Sequence, residues 1–374
     1  MGACATKPLE FVKPVNDGRK RVTVAGRDVV MPIGNHFETK EQLVDALRAA
    51  GLEKCNLLFA IDFTKSNTWQ GENTYNDKCL HAVDAKNEMH GADQYQPAAV
   101  PASAPPAYST NIGEQEGPPG GMSLKRTITR TVTFTGESKD DDETRRVLAT
   151  LNPYQRVMAI AGDQLDPFDD DGYIPTVIFG HGRRKGDPYI KQIGPASATG
   201  AADCYKVAGV LDASATGAAD CYKVAGVLDA YAHAAQTERF SGNTQFQPVI
   251  DWAINIVCKE MDYHILVIIG DGCINDLNET QAALARASKY PLSVIFVGVG
   301  DGSNPKNHRD RWRDMRTLDD LPTGDVDNWQ SVYMSNMKDV LDRAPNPSVE
   351  LATWMLMEVP EQYKYFKSRG LIRS

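Results

Sequence analysis

Four apolar runs restrict the fold of this chain more than any other feature of its sequence. They occupy residues 56–62, 173–180, 263–272 and 290–302, with a weaker fifth run at 329–334. Each run is nearly continuous rather than alternating, which is typical of a parallel strand covered on both faces. Amphipathic helix patterns lie between the runs, and the pattern at 244–261 is the clearest. The alternation predicts an α/β fold with a mostly parallel central sheet and helices on both faces.

Residues 39–51 carry sequence signals for both the start and the end of a helix. Thr39 precedes the first turn and Gln42 stands three residues later, which is the pattern of a capping box. Gly51 follows the last turn, where a left-handed residue often ends a helix. Ala46 is expected on the buried face together with the two leucines of this segment. Further helices are predicted at residues 154–165, 278–290 and 336–344.

Composition argues against several classes of protein. A formal net charge of -9 over 374 residues disfavours a general nucleic-acid binder, which would need a basic face for phosphates. No apolar stretch reaches the roughly 20 residues that a membrane-spanning helix needs, and the chain does not open on a secretory signal. The folded part is therefore expected in the cytosol. The seven cysteines include no CxxC pair, which disfavours a zinc ribbon or RING finger.

The first residues, MGACATK, match the pattern for N-terminal lipidation. Gly2 would carry a myristoyl chain after Met removal, and Thr6 fills the serine/threonine position of the motif. Cys4 would be the natural site of palmitoylation, because one acyl chain binds membranes only marginally and two give stable anchoring. The alternative is a chance Met-Gly start. Residues 1–35 are accordingly interpreted as an acylated, largely flexible N-terminal segment.

Two stretches interrupt the alternation of strands and helices. Residues 84–147 are rich in proline, alanine and glycine and are expected to be disordered, since they contain too little apolar surface to offset the entropy of ordering. Within them, Thr129 and Thr133 each follow an arginine by three residues, a spacing that basic-directed kinases favour. A solvated, threonine-rich arm remains the preferred interpretation of that segment.

The second interruption is a perfect tandem duplication. The seventeen-residue sequence SATGAADCYKVAGVLDA occupies residues 197–213 and again 214–230. At about 100° per residue the two copies would lie roughly 100° out of phase on one continuous helix. Both apolar faces could not then meet the same surface, so one copy is expected to bulge out or to break at the Thr-Gly step.

Oxygen-bearing side chains follow two of the apolar runs. Asp62 ends the first run and is followed by Thr64 and Ser66 at alternating positions, and Asp271 ends the third. The carboxyl ends of parallel strands lie at one edge of a sheet, where ligands of α/β folds bind. Asp62, Thr64 and Ser66 have two possible roles. They could satisfy backbone groups in a turn, or they could supply oxygen ligands to a hard cation.

Thr244 would complete such a cation site from a third loop. It stands in the turn SGNT immediately before the predicted helix. Taken alone, Thr244 is better interpreted as an N-cap, which is the usual role of threonine at this position. The pattern DxTxS after a first strand, a threonine before a central helix and an aspartate after a later strand together form the ligand set of a metal-ion-dependent adhesion site.

The chain resembles the copine-type von Willebrand factor A domain, most closely the version in plant RING-type ubiquitin ligases. Matching stretches include FETKEQLVDALRAAGLEKCNLLFAIDFTKSNTW, CLHA, NPYQRVMAIAG, FDDDGYIPTVIFG, SGNTQFQPVIDWAINIV, YHILVIIGDG and ASKYPLSVIFVGVGDG. The likeness covers most of residues 36–83 and 152–366. It implies a von Willebrand factor A fold, Rossmann-like, over residues 36–366. The insert and the duplication interrupt this domain, and residues 367–374 follow it as a tail.

The resemblance also implies a site and a function. It assigns five ligands of a divalent cation: Asp62, Thr64, Ser66, Thr244 and Asp271. Mg²⁺ is the favoured ion, with Mn²⁺ or Ca²⁺ as alternatives. An open coordination position would accept an Asp or Glu carboxylate from a partner protein. With the lipidation motif, this implies a membrane-anchored, metal-dependent interaction module at the cytosolic face of the plasma membrane or an endomembrane.

Enzymatic alternatives have less support in the sequence. Copines carry two C2 domains and the plant ligases a RING finger, and neither pattern is found here, so the chain is not expected to be an enzyme. A role in a ubiquitin-ligase pathway is the alternative. The glycine-rich stretches at 180–186 and 298–303 do not fit a P-loop. The acidic run 169–171 is interpreted as a solvated loop rather than a calcium site.

Overall fold

A computed structural model describes residues 21–24, 27–30, 37–83, 148–182, 189–194, 221–302, 310–320 and 325–373. The helices and strands of these ranges, in chain order, are β1 Arg21–Val24, β2 Arg27–Val30, α1 Lys40–Ala49, β3 Asn56–Asp62, α2 Pro153–Leu165, β4 Tyr173–Ile174, β5 Thr176–Phe179, β6 Ile190–Gln192, β7 Cys221–Tyr222, α3 Lys223–Thr237, α4 Gln247–Glu260, β8 His264–Gly270, α5 Leu277–Ala287, β9 Leu292–Gly298, α6 Arg313–Asp320, β10 Trp329–Tyr333, α7 Lys338–Arg343, α8 Pro347–Leu356 and α9 Val359–Ser368. Short 3₁₀ turns occupy Lys65–Thr68 and Asp166–Phe168.

The central sheet has six strands in the order β10-β9-β8-β3-β5-β6. All neighbours are parallel except β6, which runs antiparallel to β5 at one edge. The five predicted apolar runs supply every strand of this sheet apart from β6, so the predicted α/β fold is confirmed. The run at 173–180 is divided at Pro175, which has no N–H for a sheet ladder. Its first part, β4, pairs with β7 in a separate two-stranded sheet.

The strand order reverses at β3. The chain passes from β3 to β5 on one side and later returns to β8 on the other side. The ends of β3 and β8 therefore lie at the position where open α/β sheets bind ligands.

Alternate residues of each strand face opposite helical layers. Leu57, Phe59 and Ile61 of β3 belong to one core, with side chains from α1, α2, α3, α8 and α9. Leu58 and Ala60 belong to the other core, with α4, α5 and α6. The pleat of a strand sends successive side chains to opposite faces, and here both faces are covered. This explains why the strand sequences are continuously apolar rather than alternating.

Helix α1 has the predicted capping box. The Thr39 hydroxyl accepts from the backbone N–H of Gln42 at 3.3 Å, and the Gln42 side chain accepts in return from the Thr39 N–H at 3.3 Å. Gly51 has a φ of +109° one residue past the C-cap, as expected. The buried face differs from its prediction at one position, because Val44 lies in the core and Ala46 is only partly buried.

The N-terminal part holds an element that the sequence analysis missed. Within the segment interpreted as flexible, Arg21–Val24 and Arg27–Val30 pair as an antiparallel hairpin. Gly2 and Cys4 lie outside the described residues, and so does the whole of the predicted disordered insert, residues 84–147. The lipidation and the disorder therefore stay predictions.

The second copy of the duplication forms part of the folded domain. Its residues 221–230 build β7 and the first half of α3, and this helix begins at Lys223. Helix α3 packs closely on α2, since a Cβ added at Gly162 would lie 2.5 Å from a methyl carbon of Val224. The first copy and the Thr216-Gly217 step lie outside the described residues.

Glu358, at the start of α9, is predicted to make the stability of the folded protein depend on pH. Burial, with the nearby charges of Asp327 and Asp319, raises the pKa of Glu358 from 4.5 to about 8. The folded state therefore holds a proton that the unfolded chain releases, and stability falls as pH rises from about 4.5 to about 8. The variant Glu358→Gln should have a higher Tm than the wild type, with a larger advantage at pH 8 than at pH 5.

Thermal unfolding at both pH values measures this difference. Glu361→Gln, on the exposed side of the same helix where Glu361 pairs with Lys364, is the control, and its Tm should stay close to that of the wild type. An equal advantage of Glu358→Gln at both pH values would contradict the assignment.

Candidate metal centre

Two aspartates lie at the carboxyl edge of the central sheet. Asp62 is the last residue of β3, and Asp271 directly follows β8. These strands are parallel neighbours, and Ile61 pairs with Ile269 in their register. The predicted meeting of both carboxylates at one edge is therefore confirmed. A Cβ at Gly270 would lie 3.2 Å from Asp62 Oδ2, so the end of β8 passes directly beside this carboxylate.

The first loop turns its oxygen atoms toward one another. Asp62 Oδ1 accepts a hydrogen bond from the backbone N–H of Thr64 at 2.7 Å. The hydroxyls of Thr64 and Ser66 are 3.1 Å apart. Asp62 and Thr64 are buried, whereas Ser66 is only partly so. The alternating residues of the sequence thus place one carboxylate and two hydroxyls in a single turn.

The carboxylates of this cluster have unmet acceptor capacity. Asp62 Oδ2 and both side-chain oxygens of Asp271 are buried and have no hydrogen-bond partner among the described residues. Burial and the neighbouring charge of Asp271 raise the pKa of Asp62 well above its ordinary value, although hydrogen bonds from Thr64 oppose this. Burial also raises the pKa of Asp271 to about 6, against the opposing charge of Arg311.

These properties fit a hard divalent cation. Buried carboxylates in proteins are normally paired with a cation or bound to a metal. The oxygen donors of this cluster, carboxylates and hydroxyls, are the type that Mg²⁺, Mn²⁺ and Ca²⁺ prefer. Across the described ranges, no group of three or more His, Cys, Asp or Glu side chains could hold a metal ion. A cation at this edge would therefore depend on the hydroxyls as well as on the two carboxylates.

Thr244 does not cap the helix that follows it, so the N-cap interpretation is wrong. The N-cap of α4 is Phe246, and the Asp276 carboxylate accepts from the N–H groups of Phe246 and Gln247 at 3.1 and 2.9 Å. Thr244 is buried, and its backbone exchanges two hydrogen bonds with Asn275 in the loop after β8. Its hydroxyl is not used as a helix cap.

The loop that carries Thr244 is also joined to the first loop. The Ser241 N–H donates to the carbonyls of Phe63 and Gly180 at 3.1 and 2.9 Å. Gly180 has a φ of +69°, and a Cβ there would lie 2.4 Å from the Thr64 methyl carbon. Only glycine therefore fits this close approach. The three loops that carry the five predicted ligands form one hydrogen-bonded unit.

A buried polar layer, made of His81, Tyr231, Asn67 and Tyr154, holds the first loop by hydrogen bonds. The His81 ring donates from Nε2 to the Asp62 carbonyl at 2.8 Å, and its Nδ1 accepts from the Tyr231 hydroxyl at 2.8 Å. Burial lowers the pKa of His81 to about 3, so this ring is neutral. Asn67 donates to the Thr64 carbonyl at 3.1 Å and accepts from the Tyr154 hydroxyl at 2.5 Å.

This layer was missed by the sequence analysis. Its members lie far apart in the chain, and none belongs to a recognisable spacing pattern. The one available signal was a polar residue inside an apolar stretch, such as His81 in CLHAV. Such residues need a buried partner, but the sequence does not say which one.

The other candidate motifs have structural roles. Asp169 and Asp171 accept hydrogen bonds from the N–H groups of Gly172 and Tyr173, which agrees with the loop interpretation of the acidic run. In the stretch at 298–303, a Cβ at Gly300 would lie 2.9 Å from the Gln70 carbonyl oxygen. That glycine therefore permits close packing of two loops. The stretch at 180–186 is described only up to residue 182.

The fold and the cluster together define an α/β domain of the von Willebrand factor A type. The family model described as Copine matches residues 147–374. The chain belongs to the copine family, which confirms the resemblance seen in the sequence.

Three relatives illustrate the similarity. Copine family protein 2 of Caenorhabditis elegans is 32% identical over 339 residues, which is 90% of this chain and 3% of that protein. The E3 ubiquitin-protein ligase RGLG3 of Arabidopsis thaliana is 29% identical over 348 residues, covering 89% of this chain and 69% of that protein. RGLG4, another E3 ubiquitin-protein ligase of that plant, is 29% identical over 349 residues, 89% of this chain and 63% of that protein. This chain thus spans a small fraction of the worm protein and about two thirds of each plant protein.

No helix within the described ranges is long and apolar enough to cross a bilayer.

Proposed function

We propose that this chain is a divalent-metal-dependent protein-interaction module, a scaffold or adaptor that binds a carboxylate of a partner protein. The ion would be held by Asp62, Thr64, Ser66, Thr244 and Asp271. The observation that carries the proposal is the group of three buried carboxylate oxygens without partners, placed beside two hydroxyls at the point where the strand order reverses.

The chemistry of the donor set supports Mg²⁺ as the preferred ion, with Mn²⁺ and Ca²⁺ as alternatives. Two carboxylates balance the charge of one divalent cation, and neutral hydroxyls add no further negative charge. An ion held in this way keeps affinity for another anionic oxygen, so an Asp or Glu side chain of a partner is a suitable additional ligand. The chain's own residues would bind and orient the ion, and the polar layer around His81 would hold the first loop in place.

Calorimetric titration tests the ion directly. Mg²⁺, Mn²⁺ and Ca²⁺ are titrated separately into the wild type and into Asp62→Ala. The proposal expects saturable binding of at least one ion to the wild type and none to the variant. Equal titration curves for the two proteins would overturn it.

Asn67 offers a test that leaves all five proposed ligands in place. Asn67→Ala removes hydrogen bonds to the Thr64 carbonyl and hydroxyl and leaves the Tyr154 hydroxyl without its acceptor. Loss of such a supporting residue typically weakens metal binding by about 10- to 100-fold. We expect a decrease of this size in Mg²⁺ affinity, measured by the same calorimetry.

Thr68→Ala is the matched control for Asn67→Ala. Thr68 lies in the same 3₁₀ turn, and its hydroxyl donates only to the Lys65 carbonyl. Mg²⁺ affinity should be unchanged in this variant. An equal loss in both variants would show that general loosening of the turn, rather than support of the ligands, sets the affinity.

Membrane anchoring through Gly2 and Cys4 is part of the proposal and depends on the sequence motif alone. Gly2→Ala prevents myristoylation, and it should move the protein from the membrane fraction to the soluble fraction of cells that express it. Cys4→Ser should release it in part, since one acyl chain binds only marginally. Retention of Gly2→Ala on membranes at the wild-type level would reject the lipid anchor.

A role in a ubiquitin-ligase pathway is the second candidate function. It is favoured by the similarity to Arabidopsis thaliana proteins named as E3 ubiquitin-protein ligases. In that case the module would recruit or position a component of the pathway rather than transfer ubiquitin itself. An autoubiquitination assay with the purified chain tests whether the chain transfers ubiquitin itself, and ubiquitin transfer without an added ligase would contradict the non-enzymatic proposal.

A further inference from the structure

The structure points to a more specific partner for the proposed metal centre, and this inference rests on the proposed function. We infer that the partner presents an extended acidic segment in which an apolar side chain lies two residues from the metal-binding Asp or Glu. Trp69 would contact the apolar side chain, while Lys65 and Arg311 would favour the acidic character of the segment.

Trp69 is exposed in a way that the fold does not explain. It is 42% exposed, and Tyr222 is the other large hydrophobic side chain that stands exposed in the described ranges. Tyr222 packs against the Tyr173 ring, with centroids 5.4 Å apart. Trp69 has no comparable ring contact within the described part of the chain. Exposed tryptophans are enriched among the residues that dominate binding energy at interfaces.

Trp69 is positioned next to the proposed ligands by the first loop. Residues 65–68 form the 3₁₀ turn, and the Trp69 N–H donates to the Ser66 carbonyl at 3.1 Å. Thr64 is the N-cap of this turn, Ser66 lies within it and Trp69 is its C-cap. Trp69 therefore directly follows the short segment that carries two of the proposed ligands.

Two cationic residues lie in or against the loops that carry the cluster. Lys65 is exposed and makes no ion pair within the described ranges. Arg311 packs against the loop that follows Asp271, where its carbonyl accepts from the Cys273 N–H at 3.0 Å. Arg311 Nε is buried and has no hydrogen-bond partner among the described residues. Positive charge near a carboxylate-binding centre favours a partner with negative charge.

The spacing within the partner follows from the geometry of the turn. Trp69, the C-cap of the turn, follows Ser66 by three residues, which is about 6 Å at roughly 2.0 Å per residue. In an extended peptide, side chains on one face recur every second residue, about 6.6 Å apart. An acid that reaches the metal centre would therefore place the residue two positions away against Trp69. The immediate neighbour of the acid would point to the other side.

Tryptophan fluorescence gives a direct readout of this contact. The other four tryptophans, Trp252, Trp312, Trp329 and Trp354, are at most 8% exposed. Collisional quenching by acrylamide should therefore report mainly on Trp69. The probes are blocked tetrapeptides that contain one aspartate and, two residues later, either leucine or serine. A third peptide has asparagine in place of the aspartate.

In saturating Mg²⁺, the peptide with aspartate and leucine should protect Trp69 from quenching. The asparagine peptide should give no protection, and neither should the leucine peptide in the presence of a chelator. Protection that is equal with the leucine and serine peptides would overturn the inference, because it would show no contact between Trp69 and the apolar side chain.

A second experiment measures affinity by fluorescence anisotropy of labelled peptides. Trp69→Ala should weaken binding of the leucine peptide by about tenfold, the loss expected when an interface anchor is truncated. It should leave Mg²⁺ affinity and binding of the serine peptide unchanged. Tyr222→Ala removes the other exposed aromatic ring and is the matched control, with no expected effect.

The outcomes separate this inference from the proposed function. If Mg²⁺ binds but Trp69→Ala binds the leucine peptide as the wild type does, the inference about the partner is wrong and the metal centre stands. If Mg²⁺ does not bind the wild type, the proposed function fails, and the inference fails with it.

Discussion

Asp271→Asn is expected to raise the Tm of the metal-free protein and to abolish its stabilisation by Mg²⁺. In the metal-free protein, the substitution removes one of two buried carboxylates that repel each other, so Tm should rise. At the same time it removes a proposed ligand, so Mg²⁺ should no longer stabilise the protein. If Mg²⁺ binds the wild type as proposed, a concentration of about 100 times its Kd would add roughly 2.7 kcal/mol to the free energy of unfolding. That corresponds to an increase in Tm of about 5–10 °C for a domain of this size.

Thermal unfolding with a chelator and with Mg²⁺ measures both effects. Asp170→Asn is the control, because Asp170 is an exposed carboxylate that pairs with Lys54. It should keep the full increase in Tm with Mg²⁺. An Asp271→Asn variant that is still stabilised by Mg²⁺ to the wild-type extent would remove Asp271 from the proposed metal centre.

Gly162→Val should strongly destabilise the fold by forcing α2 and α3 apart. A Cβ at this position would lie 2.6 Å from Val224 Cβ and 2.5 Å from one of its methyl carbons. Overpacking of this kind typically costs about 1–3 kcal/mol. The double variant Gly162→Val with Val224→Gly moves the side chain from one helix to the other at constant volume and should recover much of this loss. Urea unfolding of the single and double variants measures the recovery.

The duplication supplies a matched control for this exchange. Val207 occupies in the first copy the position that Val224 occupies in the second. Val207→Gly should therefore fail to rescue Gly162→Val, because α3 is built from the second copy. Rescue by Val207→Gly instead would mean that the first copy packs against α2 and that the second does not.

Part of this structure could be predicted because it depends on local patterns. A strand covered on both faces must be apolar at every position, so the runs at 56–62, 263–272 and 290–302 identified β3, β8 and β9. The capping box of α1 depends on residues three positions apart. The convergence of Asp62 and Asp271 followed from the parallel arrangement of two strands.

Other features could not be predicted because their partners are distant in the chain. The sequence favoured Thr244 as the cap of α4, but the carboxylate of Asp276, about thirty residues away, takes that role. The antiparallel edge strand β6 and the hairpin of β1 and β2 lack a distinct pattern, since short strands carry few residues and little periodicity. Val44, rather than the predicted Ala46, lies on the buried face of α1, because the helices that cover α1 decide which of its residues are buried.

The sequence by itself determined the class of fold and the positions of its main strands along the chain. These properties follow from the period of apolar side chains, whereas the assignment of five oxygen-bearing residues to a cation came from the resemblance to a family and stays a prediction. Only the tertiary structure decided what surrounds those residues. The hydrogen bonds of His81 to Tyr231, 150 residues away, and of Tyr154 to Asn67, 87 residues away, have no local signal. Buried polar groups need a partner, but which partner they meet is fixed only when distant parts of the chain pack together.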